Sequence, residues 1–425
     1  MANDHIETIA VSSKSFLEYR ELDDDVYRQA TEAAKVLAGK RIVHINSTEK
    51  GGGVAELLKS QVALENDLGI NSQWLVIRPR PRFFDVTKNI HNLLQGKPGR
   101  LTEEDIAIYE SESVILSHSL ANYFQSAPVD LIITHDPQPL LAVVMGAVGV
   151  PKALRLHIDT CQPNEATIRW LCKLASDFNH VVVSLLPCAP SCLTVENVSG
   201  ILPAIDPFAP KNVPLTMEHA NEVLRVFGVD PARPLITQVS RLEPWKRPIE
   251  VVAAYKRVKE KIPSVQLVLA GFIAADDDPE ALTYVKEVQK LVDSDPDIHI
   301  FSDIEDLRAR RIDNDTFINA LQVTSKLIVQ FSLREGFGLT VTEAMWKAKP
   351  VVAGDVGGIK LQIKDRENGR LVQNVNELVG AIIELLDDPQ LGKRLGVAAH
   401  QSVKQSFLMP RYLLQHFELY QKLLQ

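Results

Sequence analysis

The sequence predicts an α/β protein built from two Rossmann-like, doubly wound parallel-sheet domains. Short apolar, β-branched runs alternate along the chain with longer segments of helical spacing, such as RPIEVVAAYKRVKEK at 247–261. Runs that are apolar at nearly every position are typical of parallel strands buried on both faces, and strand–helix alternation is typical of doubly wound sheets. The chain has 425 residues, which is more than a single hydrophobic core usually supports, so we expect two such domains.

The predicted strands form two sets, one in each half of the chain. The first set comprises 41–46, 72–77, 131–136, 152–158 and 180–185, and the second comprises 235–240, 265–271, 298–303, 326–331 and 349–355. Between them, PAIDPFAPKNVPL at 203–215 holds four prolines and little periodic structure, so it is interpreted as a linker. The predicted domains are 1–208 and 209–405, followed by a helix at 406–425 that packs back on the N-terminal domain.

The composition argues against two classes of partner. A net charge of −8 disfavours a general nucleic-acid binder, because binding to a phosphate backbone needs a basic surface. No run of about 18 apolar residues predicts a membrane-spanning helix. The opening MANDHIETIAVSS lacks the basic and apolar regions of a signal peptide, so a cytoplasmic location is expected.

The four cysteines, Cys161, Cys172, Cys188 and Cys192, are few for the chain length. We predict that they are reduced, partly buried thiols in a reducing compartment. A metal site at Cys188 and Cys192 is the less favoured alternative, because the nearby sequence offers no convincing Cys or His partners. The acidic run AADDDPE at 274–280 is interpreted as a solvated loop, and no metal is predicted.

The first candidate site follows the first predicted strand. Gly51, Gly52 and Gly53 separate the last residue of that strand, Asn46, from a helix that begins near Val54. Glycines let the backbone approach a ligand closely, and a helix N-terminus attracts anions. The spacing matches neither the dinucleotide fingerprint nor the Walker A motif, and a plain turn is an equal alternative.

The second candidate site is the loop after the strand at 235–240, in LITQVSRLEPWKRP. Arg241 offers a forked set of donors and Lys246 a mobile point charge, and together they suit a diphosphate. Taken alone, the pair is better interpreted as surface charge on a solvated loop.

The third candidate site is SLREGFGLTVTEAMWKA, after the strand at 326–331. A helix is predicted to start near Leu339, so that Glu343 lies in its early turns and Glu335 in the loop. The helix N-terminus offers N–H groups to phosphate oxygens, and a carboxylate beside it can accept ribose hydroxyls. The alternative is an exposed helix glutamate and a helix-capping acid.

The fourth candidate site closes two strands of the first half. His157 and Asp159 end one strand and point the same way, since strand side chains alternate between faces. His135 and Asp136 end another. These side chains could bind hydroxyls or transfer protons, but a hydrogen-bonded core histidine is the commoner arrangement.

Taken together, these motifs resemble one family. Arg241 with Lys246, then Glu335-Gly-Phe-Gly, then Glu343 resemble the retaining glycosyltransferases of family 4, with Glu335 and Glu343 as the E-x7-E pair. The segments HINSTEKGGGVAELL, THDPQP, LHID and PAIDP narrow the resemblance to the trehalose glycosyltransferring synthases and the related retaining trehalose phosphorylases. The likeness implies the GT-B architecture, in which two domains face a central cleft.

The resemblance also implies a role for each candidate residue. Arg241 and Lys246 would stabilise the donor's diphosphate as its charge grows, while Glu335 and His157 would contact the donor glucose. The donor-binding set would comprise Glu343 at the ribose, Gly336, Phe337, Gly338 and Leu339 at sugar or phosphate, and Gly52 and Gly53; the acceptor and sugar set would comprise Asp159, Asn46 and Glu56.

The implied function is reversible transfer of glucose from a nucleoside-diphosphate glucose to glucose, forming trehalose. A trehalose phosphorylase that releases glucose 1-phosphate is the first alternative, and a non-catalytic sugar- or nucleotide-binding protein on the same scaffold is the second. The resemblance implies no cofactor and no bound metal, and its partners are small molecules: the nucleoside-diphosphate glucose, glucose and trehalose. A homodimer is left open. Lys360 stands where a small or apolar residue is expected, which leaves the donor base open among ADP, UDP and GDP.

Overall fold

The chain forms two compact units in the computed structural model, which describes residues 5–50, 52–272, 279–292 and 295–425. The first unit comprises Met1–Ala204 together with Met409–Gln425, and the second comprises Ile205–Leu408. The C-terminal segment thus belongs with the N-terminal part of the chain. Gly51 and positions 274–278 of the acidic run lie outside the described residues.

A seven-stranded sheet forms the centre of the first unit. Its strands are β1 (Ile6–Ile9), β2 (Arg41–Asn46), β3 (Asn71–Ile77), β4 (Leu131–His135), β5 (Lys152–Leu156), β6 (His180–Val183) and β7 (Val198–Gly200). They lie in the order β1-β3-β2-β4-β5-β6-β7, with β1 antiparallel to β3 and all other neighbours parallel. The helices before and between them are α1 (Asp24–Val36), α2 (Gly52–Asp67), α3 (Pro81–Leu94), α4 (Glu103–Ser126), α5 (Leu140–Gly146) and α6 (Glu165–Ala175).

A six-stranded parallel sheet forms the centre of the second unit. Its strands are β8 (Leu235–Val239), β9 (Gln266–Ala270), β10 (Ile298–Phe301), β11 (Leu327–Gln330), β12 (Val351–Gly354) and β13 (Arg370–Val372), in the order β10-β9-β8-β11-β12-β13. Its helices are α7 (Met217–Val226), α8 (Pro248–Lys261), α9 (Pro279–Val292), α10 (Ile304–Ala309), α11 (Asn314–Thr324), α12 (Leu339–Trp346), α13 (Ile359–Gln362), α14 (Val375–Asp387) and α15 (Pro389–Ser406). The last helix, α16 (Met409–Leu423), returns to the first unit.

All ten predicted strands are present, and the prediction of two doubly wound parallel-sheet units is confirmed. The sequence reasoning missed β1, β7 and β13. Each lies at the edge of its sheet and has only three or four residues, so none produces a long apolar run.

Eight of the helices described begin after a short polar residue whose side chain accepts a backbone N–H of the first turn. Such residues are Asp23, Thr102, Asn164, Thr216, Asp303, Asp313, Asn374 and Asp388. In contrast, α8 and α12 begin after residues in the left-handed region, Arg247 (φ 52°) and Gly338 (φ 90°), and no side chain caps either helix. Both helices follow predicted site loops, so their first-turn N–H groups face those loops.

The two faces of the first sheet differ in chemistry. One face packs an apolar core that includes Val43, Ile45, Ile132 and Leu154. The other face carries buried polar side chains from β2, β4 and β5 and is covered by α2 and α16. Its buried members include His44, His135, Arg155, Glu65, Gln61, Tyr412, His416 and Tyr420. We call this the polar layer of the first unit.

The prediction of reduced cysteines is wrong, because the structure contains two disulfides. Cys161 pairs with Cys188 and Cys172 with Cys192, with Cα–Cα distances of 4.2 and 6.1 Å. Cys161 follows β5 and Cys188 follows β6, and adjacent parallel strands bring such loops to one edge of a sheet. Cysteine counting cannot show this proximity. The disulfides remove one ground for a cytoplasmic location, which stays a prediction.

We expect the two disulfides to be detectable in the purified protein and to stabilise the first unit. They close loops of 27 and 20 residues, and bridges of that length contribute about 2–4 kcal/mol each to the free energy of unfolding. Peptide mapping after alkylation without reductant should recover both pairs, and reductant should lower the melting temperature. Four alkylated cysteines in the unreduced, denatured protein would contradict the pairing.

Among the described residues, no helix combines the length and the apolar character that crossing a bilayer requires.

Candidate functional site

The predicted cation loop of the second unit is tied to the neighbouring strand-end loop. Lys246 ends a 3₁₀ turn, Pro244–Lys246, and its carbonyl accepts a hydrogen bond from Gln238 Nε2 on β8 at 2.8 Å. The carbonyl of Trp245 accepts the backbone N–H of Leu333 at 2.8 Å. These bonds hold the loop after β8 beside the loop after β11, which carries the first glutamate of the E-x7-E pair.

Lys246 and Glu335 form an ion pair in this structure. Lys246 Nζ lies 2.6 Å from Glu335 Oε2, and the two side chains are only 16% and 11% exposed. Ser332 Oγ and Gln330 Nε2 also donate to Glu335 Oε2, at 3.1 and 3.5 Å. Two of the four predicted catalytic residues are thus in direct contact, and the lysine charge is already balanced by a carboxylate.

Arg241, the other predicted cation, has a different environment. Its side chain is about half exposed, and its guanidinium Nη2 lies 3.1 Å from Glu243 Oε1. Gly271 at the end of β9 supports the start of this loop, because a Cβ there would lie 1.8 Å from the carbonyl oxygen of Ser240. Arg241 therefore lies in the same loop as Lys246, but pairs with a different acid.

The Glu335-Gly-Phe-Gly loop has a fixed backbone path. Phe337 is buried against Phe407, with ring centroids 5.5 Å apart. Gly336 lies so close to Gly358 that a Cβ on Gly358 would be 2.4 Å from its carbonyl oxygen. Gly338 precedes α12 with φ 90°, a left-handed conformation that favours glycine.

This loop ends where the sequence predicts it to end. Helix α12 begins at Leu339, as expected, and its uncapped N-terminus directs N–H groups and the positive end of the helix dipole towards the loop. Such an end attracts an anion, and the contacts of Gly336 to Leu339 with phosphate or sugar stay a prediction.

Glu343, the second glutamate of the pair, is buried and paired with a lysine that sequence reasoning missed. Its Oε1 lies 2.8 Å from Lys211 Nζ, and its side chain is 3% exposed. Lys347 Nζ contacts the Glu343 carbonyl at 3.4 Å, and burial lowers the pKa of Lys347 to about 8 despite the charge of Glu343. Lys211 lies in the proline-rich linker, where no periodic pattern marks it.

Lys360, the departure from the family pattern, pairs with Asp355 at 3.2 Å and is about half exposed. Lys360 lies on α13, which follows β12, and the Asp355 carboxylate balances its charge in this structure.

His157, the predicted sugar contact of the first unit, follows β5 and is held by its backbone. Its N–H donates to Asp136 Oδ1 at 2.7 Å. Asp136 follows β4 in the left-handed region, with φ 63°, and burial raises the pKa of its carboxyl to about 7 against the hydrogen bond from His157. Asp136 thus shapes the strand end, a role that the residue pattern alone left open.

The His157 side chain is the partly exposed end of a hydrogen-bonded row. His157 Nε2 lies 3.0 Å from His135 Nδ1, His135 Nε2 lies 3.1 Å from His44 Nδ1, and His44 Nε2 lies 3.0 Å from Glu65 Oε2. We call these four residues the histidine row. The sequence analysis missed His44 and Glu65. The signal that could have revealed the row is a histidine in each of the predicted strands 41–46, 131–136 and 152–158.

Asp159 and Asn46 have local partners. Asp159 is buried, and its Oδ1 accepts the backbone N–H of Cys161 at 2.9 Å. Asn46 is buried as well; its Oδ1 accepts from Trp74 Nε1 at 2.8 Å and its Nδ2 donates to the Thr48 carbonyl at 2.7 Å. These contacts shape the loops after β5 and β2.

The described part of the glycine loop joins α2 directly. Gly52 has φ 78° and, with Gly53, forms the start of α2, two residues earlier than predicted. Glu56 lies one turn into this helix and pairs with Lys59 at 3.1 Å.

Within the described ranges, one cluster of residues has metal-ligand chemistry: Asp159, Cys161 and Cys188. Because the two sulfurs are joined in a disulfide, they are not thiolates and do not ligate a metal in this state.

Comparison with known sequences agrees with these motifs. Residues 44–190 match the family model described as trehalose synthase, N-terminal domain, and residues 221–402 match that of the group 1 glycosyl transferases. The chain is 39% identical to the trehalose synthase of Rubrobacter xylanophilus over 415 residues, 97% of each protein, and 39% identical to that of Thermococcus litoralis over 408 residues, 96% of each. A trehalose phosphorylase of Pleurotus pulmonarius is 29% identical over 85% of this chain but only 54% of its own length.

Solved structures show the same fold at low identity. A sucrose-phosphate synthase from Thermosynechococcus elongatus superposes with a TM-score of 0.69 at 18% identity, covering 90% of this chain and 99% of that one. A UDP-forming α,α-trehalose-phosphate synthase from Burkholderia vietnamiensis gives 0.70 at 15%, covering 90% and 96%. The chain therefore belongs to the trehalose synthase family of glycosyltransferases and has the GT-B fold.

Proposed function

We propose that the protein transfers glucose from a nucleoside-diphosphate glucose to free glucose, with retention, and so forms α,α-trehalose. The observation that carries this proposal is the Lys246–Glu335 ion pair, held between the carboxyl ends of β8 and β11 beside the uncapped start of α12. In open α/β sheets, ligands bind at this edge, and the two groups suit the two parts of a sugar nucleotide.

Each partner of the ion pair has a different part of the donor to bind. The charge on the β-phosphate grows as the bond to glucose breaks, and a preorganised cation that meets it stabilises the transition state. Lys246 would provide that cation and Arg241 a second one. Glu335, released from Lys246, would accept hydroxyls of the donor glucose, while Glu343 would hold the ribose.

The first unit would contribute the sugar contacts. His157 and Asp159 follow β5. Asn46 ends β2, and Gly52, Gly53 and Glu56 follow that strand. Parallel strands β2, β4 and β5 are neighbours in the sheet, so these residues end at one edge of it. We propose that this edge binds glucose hydroxyls.

A phosphorylase would use the same cations for inorganic phosphate. The chain spans 54% of the length of the Pleurotus phosphorylase but 97% of the Rubrobacter synthase, which favours the synthase.

The test is a donor-by-acceptor panel with the purified full chain. Incubation with glucose and ADP-, UDP- or GDP-glucose should yield a disaccharide that co-elutes with α,α-trehalose and has α-anomeric signals only by NMR. Product formation should persist in EDTA, because side chains provide the positive charge. Glucose 1-phosphate from trehalose and phosphate would identify the phosphorylase instead, and nucleotide binding without any turnover would identify a non-catalytic binding protein.

A further inference from the structure

We propose that the buried carboxylate of Glu65 sets the tautomer of His157 through two intervening imidazoles, leaving Nδ1 of His157 as a hydrogen-bond acceptor for a sugar hydroxyl. Glu65 then acts as a positioning residue for a contact made at the far end of the histidine row. The identity of the hydroxyl rests on the proposed function, whereas the tautomer itself does not.

The register of β2, β4 and β5 places the three histidines next to one another. His44 on β2 pairs with Ile133 on β4, two residues before His135, and His135 pairs with Arg155 on β5, two residues before His157. Residues two apart on a strand share a face, so the three rings lie on the same side of the sheet. The rings stack with centroids 5.4 and 5.3 Å apart, which aligns one nitrogen of each ring with the next.

The carboxylate end of the row accepts hydrogen bonds from four donors. Besides His44, these are Ser72 Oγ at 2.5 Å on Oε2, and Gln61 Nε2 at 2.9 Å and Tyr420 OH at 3.1 Å on Oε1. An ionised carboxylate only accepts, and here both of its oxygens are surrounded by groups that can donate. His44 Nε2 must therefore carry a proton.

The surroundings of the row favour an ionised Glu65 carboxylate and a neutral His157 ring. Burial alone would raise the pKa of the Glu65 carboxyl, but the adjacent His44 and the hydrogen bonds from Ser72 and Gln61 outweigh it, so this pKa lies below its ordinary value. Burial lowers the pKa of His157 well below its ordinary value, and Arg155 lowers it further.

The middle ring is also neutral. Burial, followed by the neighbouring His157 and His44, lowers the pKa of His135 well below its ordinary value. Arg155 is completely buried in the same polar layer. The proposal assigns one proton to each imidazole of the row, His44 included.

One proton per ring then determines every hydrogen bond of the row. His44 donates from Nε2 to Glu65, which leaves its Nδ1 to accept from Nε2 of His135. The Nδ1 of His135 must in turn accept from Nε2 of His157. Nδ1 of His157, at the partly exposed end, is the one unprotonated nitrogen that accepts no hydrogen bond from another ring of the row.

This polarity matters for recognition because the opposite tautomer would present an N–H donor at the same position. A hydroxyl that must itself donate to His157 keeps its lone pairs for other contacts. A wrong tautomer would leave that hydroxyl opposite a donor, as in catalytic triads where loss of the orienting carboxylate costs about 10⁴-fold in rate.

The direct test is ¹⁵N NMR of the full chain with labelled histidine, with the His157 signals assigned by their loss in H157Q. We expect Nε2 of His157 to be protonated and Nδ1 to be bare. E65M removes the acceptor while keeping a long apolar stem; it should produce a mixture of His157 tautomers and lower kcat/KM by roughly tenfold or more. His180, which bonds Ser199 in the same unit outside the row, should keep its signals and serves as the internal control.

Two results would overturn the proposal: an Nδ1-protonated His157 in the unmodified protein, or an unchanged His157 tautomer in folded E65M. If E65M does not fold, the spectrum of the unmodified protein still decides. The spectra need no turnover, so a failure of the proposed trehalose activity would be seen separately from a failure of this inference.

Discussion

Replacing Lys246 by alanine is expected to lower kcat by about 10²–10³-fold while leaving the fold intact. The substitution removes the cation that would meet the departing diphosphate, and removing one preorganised group of this kind typically costs that much. It also leaves the carboxylate of Glu335, which Lys246 Nζ contacts at 2.6 Å, without its counter-charge. Initial rates with the donor found in the panel, and a thermal melt, measure the two effects.

Two further variants separate the possible causes. K246A/E335Q also removes the negative charge of Glu335 that K246A leaves unpaired. We expect no recovery of kcat, because the missing cation is the cause of the lower rate. K259A removes a lysine of the same unit that pairs with Asp295 and Asp297, and its kcat should stay near that of the parent. A parental rate in K246A would show that the diphosphate site lies elsewhere.

Replacing Gly358 by alanine is expected to disrupt the donor loop without touching any charged group. Its Cβ would lie 2.4 Å from the Gly336 carbonyl oxygen and 2.6 Å from Phe337 Cα, so the backbone of the Glu335-Gly-Phe-Gly loop would have to move. Such overpacking destabilises a protein by about 1–3 kcal/mol. We expect kcat/KM for the donor to fall about tenfold or more, since misplaced groups lose their alignment.

Gly380 provides the matched control for this substitution. It lies in α14, and a Cβ there would meet nothing within 4 Å. G380A should leave kcat/KM unchanged and stabilise the helix by about 0.5–1 kcal/mol. Equal kinetics for G358A and G380A would contradict the role assigned to the close approach of the two loops.

The parts of the fold that repeat locally could be predicted from sequence. Parallel strands such as β9 and β12 are apolar at nearly every position, and the start of α12 at Leu339 follows from the glycines before it. The pair Glu335 and Glu343 is recognisable because both acids lie in one continuous segment.

Partners far apart in sequence could not be predicted in this way. Lys211 reaches Glu343 across 132 positions of chain, and Tyr420 reaches Glu65 across 355. The pairing of Cys161 with Cys188 depends on the adjacency of β5 and β6. Each contact is set by the packing of whole elements, which local periodicity does not encode.

The central claim is that Lys246 exchanges Glu335 for the diphosphate of the donor. Titration calorimetry of ADP, UDP and GDP into the unmodified chain and K246A tests it most directly, because the free nucleoside diphosphate carries the charge of the departed leaving group. For the nucleoside diphosphate that the unmodified chain binds, we predict an affinity for K246A that is at least about tenfold weaker. The matching nucleoside should bind both proteins equally. Equal affinity of both proteins for the diphosphate would contradict the claim.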